Sequence, residues 1–278
     1  MIRIHELRLP VDTTDRDIGR AVARRLGLGA ADIVAWKVWR QSIDARRRGS
    51  VMLCFTVDVE VRDEARVKGL GSDPGVQTTP DARYLQVPEG CEPLPGRPVV
   101  VGTGPAGLFA GLLLARRGYA PLVIERGPAV DDRVRAVAHF WVTGDLDPEA
   151  NVQFGEGGAG TFSDGKLGTQ IHDPRCRLVI DELVAASAPP EMATSCYPHV
   201  GTDRLRAVVR RLREAIVQAG GEVRFRCRLT DLIIDRGAVA SVMLDAGERL
   251  PTGIVILAPG QDHAGEEVDV EQIGRAHV

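Results

Sequence analysis

The chain has 278 residues, of which 44% are hydrophobic and 26% charged, and its formal net charge is −3. That length accommodates one large domain or two ordinary ones, and the composition is typical of a soluble globular protein. The charge gives no general attraction to nucleic acid or to an anionic membrane. Glycines and a proline interrupt the longest apolar run, Val99 to Leu114, so we expect no membrane span. Five scattered cysteines predict reduced thiols in a cytoplasmic protein, with neither a disulfide framework nor a metal site.

The first 85 residues predict a small α+β domain. Ile2 to Leu9 alternates as a strand does, and Thr13 or Thr14 caps a helix that runs to Leu26. Ile33–Ile43 and Val51–Val61 also have the composition of strands, and a short helix and another strand follow. Residues 86–98 hold four prolines and two glycines, which is the composition of a linker.

A strand, a glycine-rich turn and a helix follow this linker. The strand at Val99 leads into Gly102-Thr-Gly-Pro-Ala-Gly107, a helix extends to Arg117, and a second strand ends at Glu125. In such a turn the first glycine permits the tight bend, the second admits a pyrophosphate, and the third allows close packing of helix and strand. An acid at the end of the next strand is placed to accept hydrogen bonds from ribose hydroxyls. The unit therefore predicts a site for FAD or NAD.

The downstream elements favour FAD. An amphipathic helix is predicted from Thr202 to Ala219 and a strand from Glu222 to Arg226. A three-stranded meander with turns at Gly237 and Gly247 comes next, and a buried strand then ends at Gly260. The predicted fold class is α/β: a Rossmann-like FAD domain over residues 99–260 with a β-meander, preceded by the small α+β domain.

This order of elements resembles the glutathione-reductase-like FAD domains of the second group. The resemblance implies that Leu229 offers its backbone to the adenine and that Ala258 and Gly260 lie beside the nucleotide. The chain departs from that pattern at Pro259, where threonine is usual, because proline has no N–H to donate.

The segment Asn151–Leu167, together with Pro198–Leu205 and Arg40–Arg46, is similar to bacterial, largely uncharacterised FAD-dependent dehydrogenases. The resemblance extends from Met1 to Gly260 and implies an FAD-dependent oxidoreductase that transfers hydride through the flavin. It also implies that the glycine-rich loop lies by the flavin. The cofactor-binding residues expected from these patterns are Gly102, Thr103, Gly104, Pro105, Ala106, Gly107, Glu125, Arg126, Gly157, Gly158, Ala159, Ser163, Lys166, Leu229, Ala258 and Gly260.

Chemical roles inside the glycine-rich loop stay open. Ser163 and Lys166 are the catalytic candidates, because a cation near flavin N1 would stabilise the anionic reduced flavin. The alternative is a surface loop with a solvated lysine. Glu156 is either a loop carboxylate or a hydrogen-bond acceptor for the cofactor, and a buried, hydrogen-bonded role is favoured for His199 over acid–base work.

Residues 261–278 match no part of the resemblance. The last six, Ile-Gly-Arg-Ala-His-Val, correspond to the translation of a widely used sequencing-adapter sequence. We therefore expect a C-terminally truncated family member that ends in artefact, and an inactive fragment that binds FAD poorly.

Two other readings remain. An NAD-dependent dehydrogenase is compatible with Glu125, although the downstream elements oppose it. The other reading is a nucleotide-binding module without turnover. In that reading the basic tip Arg46-Arg47-Arg48 of the N-terminal domain engages a partner or RNA. For the leading reading the partners are an unknown small-molecule substrate and NAD(P)H as a candidate electron donor, with neither membrane nor nucleic acid expected.

Overall fold

A computed structural model of the chain describes residues 1–47, 49–80, 93–163, 165–168, 173 and 175–260. The strands are β1 Ile2–Pro10, β2 Ile33–Arg47, β3 Ser50–Val61, β4 Val76–Thr78, β5 Val99–Val101, β6 Leu122–Ile124, β7 Glu222–Arg224, β8 Leu229–Asp235, β9 Ala238–Leu244, β10 Arg249–Pro251 and β11 Val255–Leu257. The helices are α1 Asp15–Leu26, α2 Pro105–Arg116, α3 Val130–Thr143, α4 Arg175–Ala185 and α5 Thr202–Gln218. Within the described residues, no helix is long and apolar enough to cross a membrane. The predicted tail at residues 261–278 lies outside them.

The chain forms two compact units. The first comprises Met1–Gln86, Leu167–Val184 and Pro189–His199, and the second comprises Val87–Lys166, Ala185–Ala188 and Val200–Val278. Residues 167–184 and 189–199 thus fold with the N-terminal segment, although they follow the nucleotide-binding turn in sequence. No local pattern predicts this return of the chain, because it depends on pairing between distant segments.

The first unit is a four-stranded antiparallel sheet, in the order β2-β3-β1-β4, with α1 packed against it. Thr14 caps α1, since its N–H and hydroxyl both donate to the Asp17 carboxylate, and Gly27 ends the helix at a φ of +67°. Ile18, Val22 and Leu26 recur at helical spacing and face the sheet core. The helix predicted from the threonine cap to Leu26 is confirmed.

The β2–β3 hairpin is longer than predicted. A basic loop was expected from Ala45 to Gly49, but β2 continues to Arg47 and pairs there with Ser50. Arg46 donates through its backbone N–H and its guanidinium to the Asp44 carboxylate. This pairing balances one of the arginine charges at the tip and supports the extended strand.

The second unit contains a parallel sheet in the order β11-β5-β6-β7. Leu122 and Ile124 face a separate three-stranded antiparallel sheet, β10-β9-β8, across a buried cluster that includes Val242. Val123 points to the opposite face, because side chains alternate along a strand, and there it meets α2. A Cβ on Gly111 would lie 2.7 Å from Val123 Cγ2 and 3.3 Å from Ile216 Cδ1. The absence of a side chain at Gly111 therefore allows α2 to pack closely on the sheet and on α5.

Candidate functional site

Two glycines of the turn between β5 and α2 are required by contacts inside the protein. Gly102 has a φ of +102°, and a Cβ there would lie 2.3 Å from the Ala258 carbonyl oxygen beyond β11. A Cβ on Gly107 would lie 1.9 Å from the carbonyl oxygen of Gly102. These contacts hold the helix start against two strand ends, as the sequence pattern predicts for the first and third glycines.

The second glycine of the motif has no such requirement from the protein. Gly104 has a φ of −61°, which any residue adopts, and a Cβ there would have no heavy atom of the described residues within 4 Å. Gly104 precedes Pro105, the first residue of α2. The first N–H groups of a helix have no intrahelical acceptor, and with the helix dipole they attract phosphate. The open space at Gly104 therefore fits the close approach of a pyrophosphate to this backbone.

Glu125 ties the turn to the end of β6. Its carboxylate is buried and accepts from Thr103 N at 2.9 Å, Thr103 Oγ1 at 2.7 Å and Gly127 N at 2.9 Å. A carboxylate has about four acceptor sites, so these three donors leave capacity for one more. The geometry is compatible with a ribose hydroxyl as the fourth donor.

The glycine-rich segment reaches the same turn. Gly157 N donates to Thr103 O at 3.0 Å, and a Cβ on Gly158 would lie 3.0 Å from Pro105 Cδ. Both glycines have positive φ, +80° and +66°, which disfavours any side chain there. The structure thus brings Gly157 and Gly158 to the glycine turn between β5 and α2.

Glu156, between these glycines and Gly155, is fully buried inside the protein. Its carboxylate accepts from the backbone N–H of Val130, the first residue of α3, at 2.6 Å and from Arg213 Nη1 at 2.8 Å. Burial raises the pKa of Glu156 to about 7, and Arg213 and the Val130 N–H act in the opposite direction. Of the two readings left open by the sequence, the structure supports a carboxylate of the loop, and its bonding partners lie inside the protein.

Sequence reasoning missed the buried Arg133. Its guanidinium donates to the carbonyl oxygens of Asn151 at 2.9 Å, Glu156 at 2.8 Å and Gly158 at 2.9 Å, and it lies 4.8 Å from the ring centroid of Phe162. Burial lowers the pKa of Arg133 to about 10. One feature of the sequence could have indicated this role: Arg133 has helical spacing to Val130 and Val137, and all three are buried on one face of α3. An arginine on a core-facing position indicates internal carbonyl partners.

The remaining predicted residues lie around this centre with contacts of their own. Ala159 begins a short 3-10 helix, Ala159–Phe162, and the Ser163 hydroxyl that follows contacts Gly160 O at 3.3 Å. Lys166 is exposed. The Arg126 guanidinium faces Glu149 at 3.3 Å.

Three predicted residues belong to the strand ends. Ala258 donates to Val101 O at 2.8 Å and lies beside the turn, while Gly260 follows it with a φ of +81°. Leu229 begins β8 and packs on the buried cluster beneath β5 and β6.

The histidines give one correction. His199 was favoured as a buried residue, but it is exposed, because the chain leaves the first unit at this position. His172 lies outside the described residues.

Two family models match the chain. Residues 1–60 match a domain of unknown function, DUF8436, and residues 97–143 match the model of the FAD binding domain. The second match includes β5, the glycine turn, α2, Glu125 and α3. The cofactor of this chain is FAD.

Related proteins extend this comparison. An uncharacterized protein from Clostridium beijerinckii is 40% identical over 259 residues, which cover 93% of this chain and 48% of that protein. The chain thus spans about half the length of this curated relative.

Solved structures resemble the chain more weakly. THI4 from Thermovibrio ammonificans has 16% identity and a TM-score of 0.41, with 66% of this chain and 64% of that chain covered. An L-amino acid deaminase from Proteus myxofaciens has 14% identity and a TM-score of 0.32, with 65% and 49% covered. At TM-scores this low the similarity carries no argument about the function of this chain.

Proposed function

We propose that this chain is the FAD-binding part of a flavin-dependent oxidoreductase that passes hydride between a small-molecule substrate and the flavin. The observation that carries the proposal is the open backbone at Gly104 beside the buried Glu125. Neither the φ of Gly104 nor any contact in the part of the chain that the structure describes requires a glycine there, and a bound pyrophosphate explains the need for one.

The chain's own residues bind and orient the cofactor. The Gly104–Gly107 backbone faces the pyrophosphate, and Glu125 holds the adenosine ribose through its remaining acceptor capacity. Gly157 and Gly158 cover the turn from the other side. When bound, the flavin supplies the hydride acceptor, a chemistry that no protein side chain provides.

The finer assignment follows the sequence resemblance. We place the chain with the bacterial FAD-dependent dehydrogenases, on a glutathione-reductase-like fold of the second group, with NAD(P)H as electron donor in the cytoplasm. The antiparallel sheet β10-β9-β8 packed behind β5 and β6 supports this placement, because it stands where the predicted meander would.

Within this proposal, Lys166 lies near flavin N1 and stabilises the anionic reduced flavin. The exchange Lys166→Met then lowers the flavin reduction potential, because it removes a positive charge from beside the reduced ring. The control is Lys68→Met, in the first unit. Equal potentials for wild type and Lys166→Met would remove Lys166 from this role.

The function is tested on the full-length protein. Heat denaturation releases the cofactor for chromatographic identification, and anaerobic addition of NADH or NADPH to the native protein reports reduction by loss of flavin absorbance. The proposal predicts FAD and bleaching by a nicotinamide donor. A protein that releases NAD is the NAD-dependent dehydrogenase instead, and one that binds FAD without reduction by any donor is a module without turnover.

A further inference from the structure

The glycine-rich segment is fastened to two helices by a buried ion pair. Glu156 Oε2 lies 2.8 Å from Arg213 Nη1 on α5 and 2.6 Å from the N–H of Val130 at the start of α3. The Glu156 side chain has no exposed surface, and 18% of the Arg213 side chain is exposed. One carboxylate therefore joins the segment to both helices.

The same residue is connected to the phosphate-binding turn through the backbone. Gly157, the next residue, donates its N–H to the carbonyl oxygen of Thr103. In the planar peptide between Thr103 and Gly104, the carbonyl and the N–H point in opposite directions. Fixing the Thr103 carbonyl on Gly157 thus aims the Gly104 N–H away from the glycine-rich segment.

The backbone N–H, the hydroxyl and the carbonyl of Thr103 all have hydrogen-bond partners. Its N–H and hydroxyl both donate to Glu125, and its carbonyl accepts from Gly157. A displacement of Gly157 releases the third of these bonds and lets the Thr103–Gly104 peptide rotate. The direction in which the Gly104 N–H points toward the pyrophosphate then depends on the position of Glu156.

We propose that Arg213 is a positioning residue for FAD: by pairing with Glu156 it fixes the glycine-rich segment and, through Gly157, the phosphate-binding peptide of Thr103 and Gly104. This inference rests on the proposed function and assigns to α5 a part in cofactor binding that its sequence does not indicate. Arg213 contacts no turn residue in this path and acts through Glu156.

The charged groups around Glu156 determine how the loss of Arg213 affects this carboxylate. Arg213 and Arg210 face it from α5, Asp131 and Arg133 from α3, and Glu125 from the residue after β6. Without Arg213, an ionised Glu156 loses the cation that bonds its carboxylate and keeps Asp131 and Glu125 as like charges. Removing one member of a buried pair leaves a charge without its partner; removing both charges avoids that cost to stability but also removes the pairing that holds the segment.

The test is a double-mutant cycle on FAD affinity. Arg213→Met keeps an unbranched side chain and removes the guanidinium, whose central carbon also lies 5.3 Å from the ring centroid of Phe225. We expect Arg213→Met and Glu156→Gln each to raise the FAD dissociation constant about tenfold, and Glu156→Gln/Arg213→Met to raise it no further than either single exchange, since coupled neighbours are not additive. Arg213→Lys restores the charge and also restores affinity.

The matched control is Arg211→Met. Arg211 is an exposed arginine on the same helix, α5, and the described contacts include no bond from it to the glycine-rich segment. We expect this variant to bind FAD as wild type does.

Each result decides the inference. Unchanged affinity in Arg213→Met, or additive losses in the double variant, overturns it while the proposed function stands. If Arg213→Met is recovered unfolded, the double variant must fold and bind, and its failure to do so also overturns the inference. A wild-type protein that binds no FAD overturns the proposed function as well.

Discussion

At the scale of single residues, Glu125 is the acid on which the turn depends. The sequence predicted its place at the end of the second strand but not its three internal donors, and its contact with a ribose stays a prediction. Thr103 had no predicted role beyond its place in the motif. A side-chain hydroxyl and two backbone N–H groups converge on one carboxylate only when the turn closes on the strand end, which spacing alone does not specify.

The exchange Glu125→Gln tests this convergence. A glutamine carries one acceptor oxygen, and its amide group faces a donor at either Thr103 or Gly127. We expect the free energy of unfolding to fall by about 1–3 kcal/mol, the cost of a buried donor without an acceptor. Urea denaturation monitored by circular dichroism measures it.

The control for this variant is Glu248→Gln, which alters a pair with Arg224 on a half-exposed side chain. Such surface pairs contribute less than about 1 kcal/mol. Equal effects of the two exchanges would show that Glu125 has no special place in the turn.

At the scale of elements, the sequence predicts α1, α2 and α5 well, because caps and apolar spacing are local signals. It did not predict what holds the glycine-rich segment. Glycines indicate only that close approach is allowed. Arg133 lies on α3, a helix that was not predicted, and Arg213 lies on α5, which was predicted only as an amphipathic helix. The glycine-rich segment is held by tertiary contacts, which a local sequence pattern does not show.

The buried Glu156 also makes stability depend on pH. Its pKa is raised from 4.5 to about 7 by burial, so the folded protein holds this proton longer than the unfolded chain does. The resulting contribution to stability is complete below pH 4.5 and is lost as the pH rises to 7. Because each pKa unit corresponds to about 1.4 kcal/mol, the loss amounts to about 3 kcal/mol.

The measurement compares wild type with Glu156→Gln, which cannot ionise, by urea denaturation at several pH values across this window. We expect the stability of wild type relative to the variant to decrease from acid to neutral pH. A difference that stays constant, or that grows with pH, would contradict the burial of an ionisable carboxyl at this position.

At the scale of the whole molecule, the chain divides into units that the sequence predicted only partly. The boundary before β5 was signalled by proline and glycine, but the return of residues 167–184 and 189–199 to the first unit was not. There Gln41 on β2 bonds with Thr194 and Cys196, and Trp39 lies 4.2 Å from the Arg3 guanidinium and 4.7 Å from that of Arg177. Such long-range pairing leaves no local trace in the sequence.

The first unit has a buried ion pair of its own. Arg3 donates to both carboxylate oxygens of Asp58, at 2.6 and 2.9 Å, with 8% and 2% of the side chains exposed. The exchange Arg3→Met leaves Asp58 without its counter-ion, and we expect a loss of about 3–5 kcal/mol in the stability of this unit. Tryptophan fluorescence during urea denaturation measures the unfolding of the first unit, since Trp36 and Trp39 both lie in that unit.

The companion variant Arg3→Met/Asp58→Asn removes both charges and recovers part of that loss. Neither exchange touches the residues that we place around FAD, so FAD affinity stays at the wild-type value. A stability change below about 1 kcal/mol in Arg3→Met would place the pair among surface contacts.

The central claim is that the open backbone at Gly104 receives the pyrophosphate of FAD. Titration of the full-length protein with FAD, monitored by flavin fluorescence, compares wild type with Gly104→Ala. Gly168→Ala is the control, because among the described residues a Cβ at Gly168 also meets no heavy atom within 4 Å. The account predicts that both variants fold as wild type does and that only Gly104→Ala loses FAD affinity. Undiminished FAD binding by Gly104→Ala would contradict it.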